Sequence, residues 1–203
     1  LTENRALIGA YGADDDGKHI GQAYIFERDE NDLWIEQQIL TATVPQFYDQ
    51  FARNVSLSGD TALISSAADS TNGDFAGAAY IFQYEESTEP HWQQQAQLLP
   101  ANGKESDFFG ESISLDGDIA LIGVSRTDNH GSGSGSAYIF ERDVNDNWVE
   151  KGELTADDAS QSAAFGNSVS LSGDVALFGA YGDNEMASSA GASYLFNKNN
   201  DGT

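Results

Sequence analysis

Cysteine is absent from the 203 residues, which excludes disulfide staples, thiolate metal centres and cysteine nucleophiles. Positive charge is scarce. Nine Lys and Arg stand against 33 Asp and Glu, a formal charge of −24. Nucleic-acid binding needs clustered Lys and Arg to meet phosphates, so that class is excluded, and an anionic membrane surface would repel the chain. No run of about 18 apolar residues occurs, so no membrane insertion is expected. The opening LTENRALIG has neither a basic start nor an apolar stretch, so no signal peptide is read there. Proline numbers only three.

What is present is glycine, at 21 residues, and an aromatic content of 11 %. Few Pro, many Gly and many Tyr and Phe point to folded β structure rather than disorder. An internal repeat then organises the chain. Ala-Leu-Ile begins at Ala6, Ala62 and Ala120 and recurs as Ala176-Leu177-Phe178, in steps of 56, 58 and 56 residues. Tyr-Ile-Phe starts at Tyr24, Tyr80 and Tyr138, and as Tyr-Leu-Phe at Tyr194, in the same steps. Trp34, Trp92 and Trp148 follow three of these, and Phe51, Phe109 and Phe165 open three units.

Each full unit reads as four short strands, A to D. In strand A, Val55 and Leu57 share one face while Asn54 and Ser56 share the other, and Ile113/Leu115 and Val169/Leu171 repeat the pattern. Period two means a strand with one apolar face. Strands B (TALIS, IALIG, VALFG, and RALIG in the first unit) and C (QAYIF, AAYIF, SAYIF, ASYLF) are short continuous apolar runs, expected to be covered on both faces. Strand D is polar around one Trp and reads as an outer edge. Ser58-Gly59, Asp116-Gly117 and Ser172-Gly173 between A and B are tight-hairpin dipeptides. The C–D links hold the acceptor pairs Asp29/Asn31 and Asp143/Asn145; the B–C and D–A links are longer.

Such strands stay dry only by stacking sheet on sheet, since each buried Leu, Ile or Phe contributes about 1.5–3 kcal/mol. The fold class predicted is all-β: a β-propeller of four-stranded antiparallel blades. A β-solenoid is the alternative architecture, disfavoured by repeat length and hairpin chemistry. Blades are expected at approximately 1–50 (strands B–D), 51–108, 109–164 and 165–203 (strands A–C), one propeller segment of about 3.5 blades. The unit count lacks the first A and the last D. Self-association, or the remainder of a longer chain, is therefore expected to complete the ring.

Phe109-Gly110, Phe165-Gly166, Ile8-Gly9-Ala10 and Phe178-Gly179-Ala180, with the Gly- and Ala-rich approach to Tyr-Ile/Leu-Phe, resemble the FG-GAP repeat family of integrin-α-like propellers. The resemblance covers the whole chain and is closest to the bacterial branch of such repeats, found in secreted or surface proteins. It implies seven blades and an extracellular or cell-surface location. Unit two departs from the pattern, with Phe51-Ala52 and Ser65-Ser66.

The resemblance also raises calcium as a cofactor, held in the A–B loop of integrin-type propellers. Here that loop shrinks to a turn with one carboxylate each, Asp60, Asp118 or Asp174, too few for six to eight oxygen positions. The better candidate is Asp14, Asp15 and Asp16 before Gly17 in the first B–C loop. Consecutive side chains diverge, so a solvated acidic loop stands beside the metal reading. Asp69, Asp128 and Asp183 hold similar places in later units and are expected to brace their loops. Gly131–Gly135 alternates Gly with Ser inside a B–C loop and reads as flexible surface. Asn54-Val55-Ser56 fits a glycosylation pattern but lies in a strand.

Catalysis finds little support. His19, His91 and His130 do not recur in register with Ser and Asp. The expectation is a non-enzymatic binding or adhesion module whose partner is a protein or carbohydrate ligand. B–C and D–A loops should emerge at one rim, where Tyr11, His19, Phe47, Tyr48, Phe75, Phe108, His130 and Tyr181 would offer aromatic contacts, with half of them packing between blades. Two alternatives are a propeller domain of a carbohydrate-active enzyme and a purely structural scaffold.

Overall fold

The computed structural model describes residues 1–2, 4–14, 17, 19–87, 91–187 and 190–199. Fourteen strands and no helix form four antiparallel sheets among them. The first holds β1 (Arg5–Ala10), β2 (Gln22–Arg28) and β3 (Trp34–Leu40), in that spatial order. The second runs β4 (Phe51–Ser58), β5 (Thr61–Ser66), β6 (Ala78–Glu85) and β7 (His91–Leu98). The third runs β8 (Ser112–Asp116), β9 (Ile119–Val124), β10 (Ser136–Arg142) and β11 (Trp148–Leu154). The fourth holds β12 (Phe165–Ser172), β13 (Val175–Ala180) and β14 (Ala192–Asn197). These are up-and-down meanders of propeller-blade type, and single-strand rungs are not what forms. The chain divides into two compact units, Leu1–Gly110 and Glu111–Thr203, each holding two blades.

Strand placement follows burial. In blade 2 the central β5 is buried at every position, while the outer β7 alternates around buried Trp92 and Leu98. The Tyr-Ile-Phe strands carry an irregularity against strand D at one repeated point: Ile25/Phe26, Ile81/Phe82 and Ile139/Phe140. Such a bulge adds local twist, which skews each outer strand in the same way.

Within the first unit, blades 1 and 2 meet over Ala23, Ile25 and Leu40 on one side and Phe51, Ala62, Ile64, Tyr80 and Phe82 on the other, with Leu7 and Val55 at the margin. Phe51 is the plug. It meets Tyr80 and Phe82 edge-on, with ring centroids at 5.5 and 6.1 Å. Phe165 repeats the arrangement in the second unit, stacked on Phe178 at 4.9 Å beside Leu121 and Ala137. Polar seams join the blades as well. The Gln38 amide donates to the Trp92 carbonyl at 2.8 Å and accepts the Trp92 N–H at 2.7 Å, mimicking one step of a β-ladder. In the second unit the inner-strand serines bridge blades: Ser112 donates to the Gly166 carbonyl, and Ser114 accepts the Leu171 N–H.

Coverage on both faces is not uniform. Ile8 in β1 and Leu177 and Leu195 in β13 and β14 are exposed, unlike the equivalent rows of blade 2. The departures of blade 2 from the repeat pattern have local causes. Ala52 takes the left-handed conformation (φ 63°) that Gly110 and Gly166 take in their units. Ser65 accepts the Asn54 N–H, and Ser66 donates to the Asp49 carbonyl.

Candidate functional site

The B–C and D–A links come together at one end of the blades in each unit, because a backbone ladder ties them. Phe51 donates to the Ile20 carbonyl. At the next junction Ser106, Phe108 and Phe109 donate to Asp74, Phe75 and Ala76 at 2.9, 3.1 and 2.8 Å. In the second unit Ser162, Ala164 and Phe165 donate to Ser132, Gly133 and Ser134 at 2.8, 3.0 and 2.9 Å. The ladder continues forward to the following blade: Ala68 donates to Asp49, and Gly182 to Ala163.

Left-handed backbone makes this pairing possible. His19, Phe75 and Gly133 occupy one repeated position with φ of 46°, 55° and 66°. Tyr48, Ser106 and Ser162 occupy a second, at 65°, 65° and 63°, and Gln50, Phe108 and Ala164 a third, at 57°, 59° and 57°. Gly77 and Gly135 end their B–C links where a Cβ would strike the Phe109 or Phe165 carbonyl oxygen. Gly131–Gly135 is therefore pinned rather than loose. Ser134 is fully buried, accepting the His130 N–H and donating to the Thr127 carbonyl.

On this frame sit the aromatic candidates. Tyr11, Phe47, Tyr48, Phe75 and Tyr181 are exposed, as are His19 and His130; Phe108 is half-buried. The interblade packing expected of half of them falls instead to Phe51 in the first unit and Phe165 in the second. His19 stacks on Tyr48 with centroids 5.8 Å apart and planes 22° apart. Phe75 stacks on Phe108 at 5.9 Å and 15°. Both stacks bridge a B–C link and the D–A link laddered to it. The Arg53 guanidinium lies 6.0 Å from the Tyr11 ring centre. Phe47, His130 and Tyr181 stand apart from these stacks in the contacts described.

Each unit also holds carboxylates that brace its links and tyrosines. Asp69 accepts the Tyr80 hydroxyl at 2.6 Å through one oxygen and the Thr71 N–H at 2.8 Å through the other. Asp183 receives the Glu185 N–H and the Tyr194 hydroxyl, which also reaches Asp158. In blade 3 the equivalent position is Thr127, since its carbonyl accepts the Gly135 N–H as the Asp69 carbonyl accepts that of Gly77. Asp128 is one residue off that register and braces its own loop, accepting the Gly133 N–H. Asp49 is 3 % exposed and accepts the Gln46 N–H. Burial pushes its carboxyl up to about 6; the Gln46 bond works against the rise and nearby Asp69 adds to it. The Tyr80 phenol is also pushed up, first by burial and then by its bond to Asp69. Asp49 escaped the sequence reading, although Asp107, two residues before Phe109, repeats its place and its loop-bracing bond, to the Lys104 N–H.

Among the described residues no group of three or more His, Asp or Glu converges to hold a metal. Asp14 is exposed, with one oxygen 3.4 Å from the His19 nitrogen; Asp15 and Asp16 lie outside the described residues. At the opposite, A–B end, Asp60 pairs with Arg5 and Asp118 with Arg142. Asp29 and Asp143 each accept two backbone N–H bonds in their C–D turns, which hold both carboxyls below the ordinary value. No described helix is long and apolar enough to cross a membrane.

Comparison with known families matches residues 34–82, 92–140 and 148–196 to the FG-GAP repeat. Each match starts at the Trp of an outer strand and ends at the Phe of the next blade's Tyr-Ile/Leu-Phe strand. The matched unit thus spans a D–A junction and carries the aromatic plug inside it. No curated protein matches the chain.

Proposed function

From the premise that the chain belongs to the FG-GAP repeat family, we propose that this propeller module is a non-enzymatic recognition element of an extracellular or cell-surface protein. Its binding surface is the loop end of the blades, and its partner is a protein or a glycan. One observation carries the reading: exposed aromatic rings stand on loops that backbone ladders hold rigid. Rigid loops bind without a large ordering cost, and exposed aromatics supply contact area with few rotatable bonds. The buried carboxylates of the links support the same view, since Asp69 and Asp183 are engaged in bracing loops and tyrosines.

The test is binding of the purified chain to glycan arrays and to panels of cell-surface proteins. Specific binding without turnover is expected, reduced about tenfold or more by Tyr48→Ala with Phe75→Ala, as for central aromatic contacts. Val144→Ala, in the C–D turn of blade 3, should leave it unchanged. Depolymerisation of a polysaccharide by the purified chain would overturn the proposal.

A further inference from the structure

An asparagine followed by glycine is open to attack by its own backbone, because glycine puts no Cβ in the way of its nitrogen. The pair occurs twice, as Asn72-Gly73 and Asn102-Gly103. Both lie in the first unit, one in the B–C link of blade 2 and the other in the D–A link laddered to it. They meet at a single acceptor. The Pro100 carbonyl takes the Asn72 amide at 3.3 Å and the Gly103 N–H at 3.2 Å. The two sites thus share their surroundings and differ in what holds their backbone.

At Asn102 the attacking nitrogen is engaged, since the Gly103 N–H is the one given to Pro100. Gly103 is also enclosed: a Cβ there would strike the Pro100 ring. At Asn72 the peptide unit that joins it to Gly73 is idle. Among the described residues neither the Asn72 carbonyl nor the Gly73 N–H makes a hydrogen bond, and the Asn72 N–H makes none either. Both residues are exposed, and Gly73 has φ 127°, which glycine adopts freely. Their flanks are held. The Thr71 N–H bonds to the Asp69 carboxylate at 2.8 Å, and the Gly73 and Asp74 carbonyls accept the Ala76 and Ser106 N–H groups at 3.0 and 2.9 Å. The Asn72–Gly73 peptide plane therefore hangs between braced ends. It can turn its nitrogen toward Cγ at the expense of one hydrogen bond, that of the Asn72 amide.

We propose that Asn72-Gly73 is a self-modification site of the folded protein, which converts Asn72 into aspartate and isoaspartate and loosens the junction it belongs to. The Gly73 nitrogen gives up its proton and bonds to the Asn72 Cγ. The Cγ–Nδ2 bond breaks, and Nδ2 leaves as ammonia with that proton. Water then opens the cyclic imide at either carbonyl. One opening restores the original backbone with an aspartate side chain; the other routes the main chain through Cγ. Nothing is oxidised or reduced, and water is the only co-reactant. The new carboxyl is ionised at neutral pH and has no proton to give, so two acceptors face each other where Asn72 had bonded to Pro100. In isoaspartate the main chain is also longer by a methylene, just before Asp74 and Phe75, whose carbonyls accept the Ser106 and Phe108 N–H groups. This chemistry needs no partner and stands apart from the recognition reading.

Peptide mapping by mass spectrometry tests it on the whole chain, held folded in warm, mildly alkaline buffer and sampled over time. Electron-transfer fragmentation separates isoaspartate from aspartate. Conversion at Asn72 should run severalfold faster than at Asn102 in the folded chain, with isoaspartate among the products. In urea, where the Gly103 N–H is released, the two rates should become similar. Equal rates in the folded chain, or faster conversion at Asn102, would overturn the proposal, as would a folded rate at Asn72 far below its rate in urea. Two variants read the consequence. Asn72→Gln keeps an amide on a longer side chain, and should show no conversion at that position and the protease resistance of fresh wild type. Asn72→Asp should be cut severalfold faster than Asn72→Gln within 67–77 and 99–110. Equal resistance of the two would show that the product leaves the junction intact, and the proposal would fall.

Discussion

Asp49 shows how a single residue couples this loop end to pH. Its native carboxyl keeps a proton up to about pH 6, whereas the unfolded chain releases it near the ordinary value of 3.8. Between those values the native state binds more protons, so the contribution of Asp49 to stability falls as pH rises through that window and is flat above it. Asp49→Asn keeps an acceptor for the Gln46 N–H without the buried charge. The variant should be more stable than wild type at pH 7.5, on the order of 1 kcal/mol, with the gap closing by about pH 4. Urea unfolding across that range checks it, and the difference between the two proteins cancels the general repulsion among the other acids. A gap that is constant with pH would mean that the charge of Asp49 is matched in the native state. The sequence conceals such a residue because an aspartate in a polar loop has the composition of solvent-exposed chain. Only its place two residues before Phe51, repeated by Asp107 before Phe109, marks it as part of the frame.

At the scale of elements, what was legible in the sequence was what hydrophobic patterning specifies locally. Period-two strands, the double-faced B and C strands of blades 2 and 3 and the Ser-Gly and Asp-Gly turns all carry their instructions in a few neighbouring side chains. The ladder between B–C and D–A links does not. It is made by backbone groups, and His19, Phe75 and Gly133 share a conformation while sharing no chemistry. The same reason explains why Gly131–Gly135 reads as a linker and folds as a pinned loop. Two glycines separate the causes. Gly59 has φ 56° with open space around its missing Cβ, whereas Gly77 has φ 86° and faces the Phe109 carbonyl. Gly59→Ala should therefore cost only the conformational strain, about 1 kcal/mol. Gly77→Ala must also push two links apart, and should cost on the order of 3 kcal/mol or more and raise proteolysis within 67–77 and 99–110. Chemical denaturation of the two variants side by side decides the matter; equal losses would mean that the ladder yields easily and is no rigid platform.

Across the whole molecule, the surplus of acids works against the compact state. At least six of the nine Lys and Arg are held in ion pairs with Asp or Glu, including Arg5, Arg142 and Lys198. Most of these pairs are partly exposed, and such pairs contribute about 0–1 kcal/mol each. Salt weakens them, but it also screens repulsion among the many acids that have no cation to share, over a Debye length of about 10 Å at 0.1 M. The repulsive pairs far outnumber the attractive ones, so screening should win. The melting temperature is expected to rise by several degrees between about 0.02 M and 0.5 M NaCl, then level off as the screening length falls below the spacing of surface charges. A melting temperature that stays flat or falls would show that the few ion pairs outweigh the collective repulsion, and that the acidity acts locally at the loops rather than on the fold.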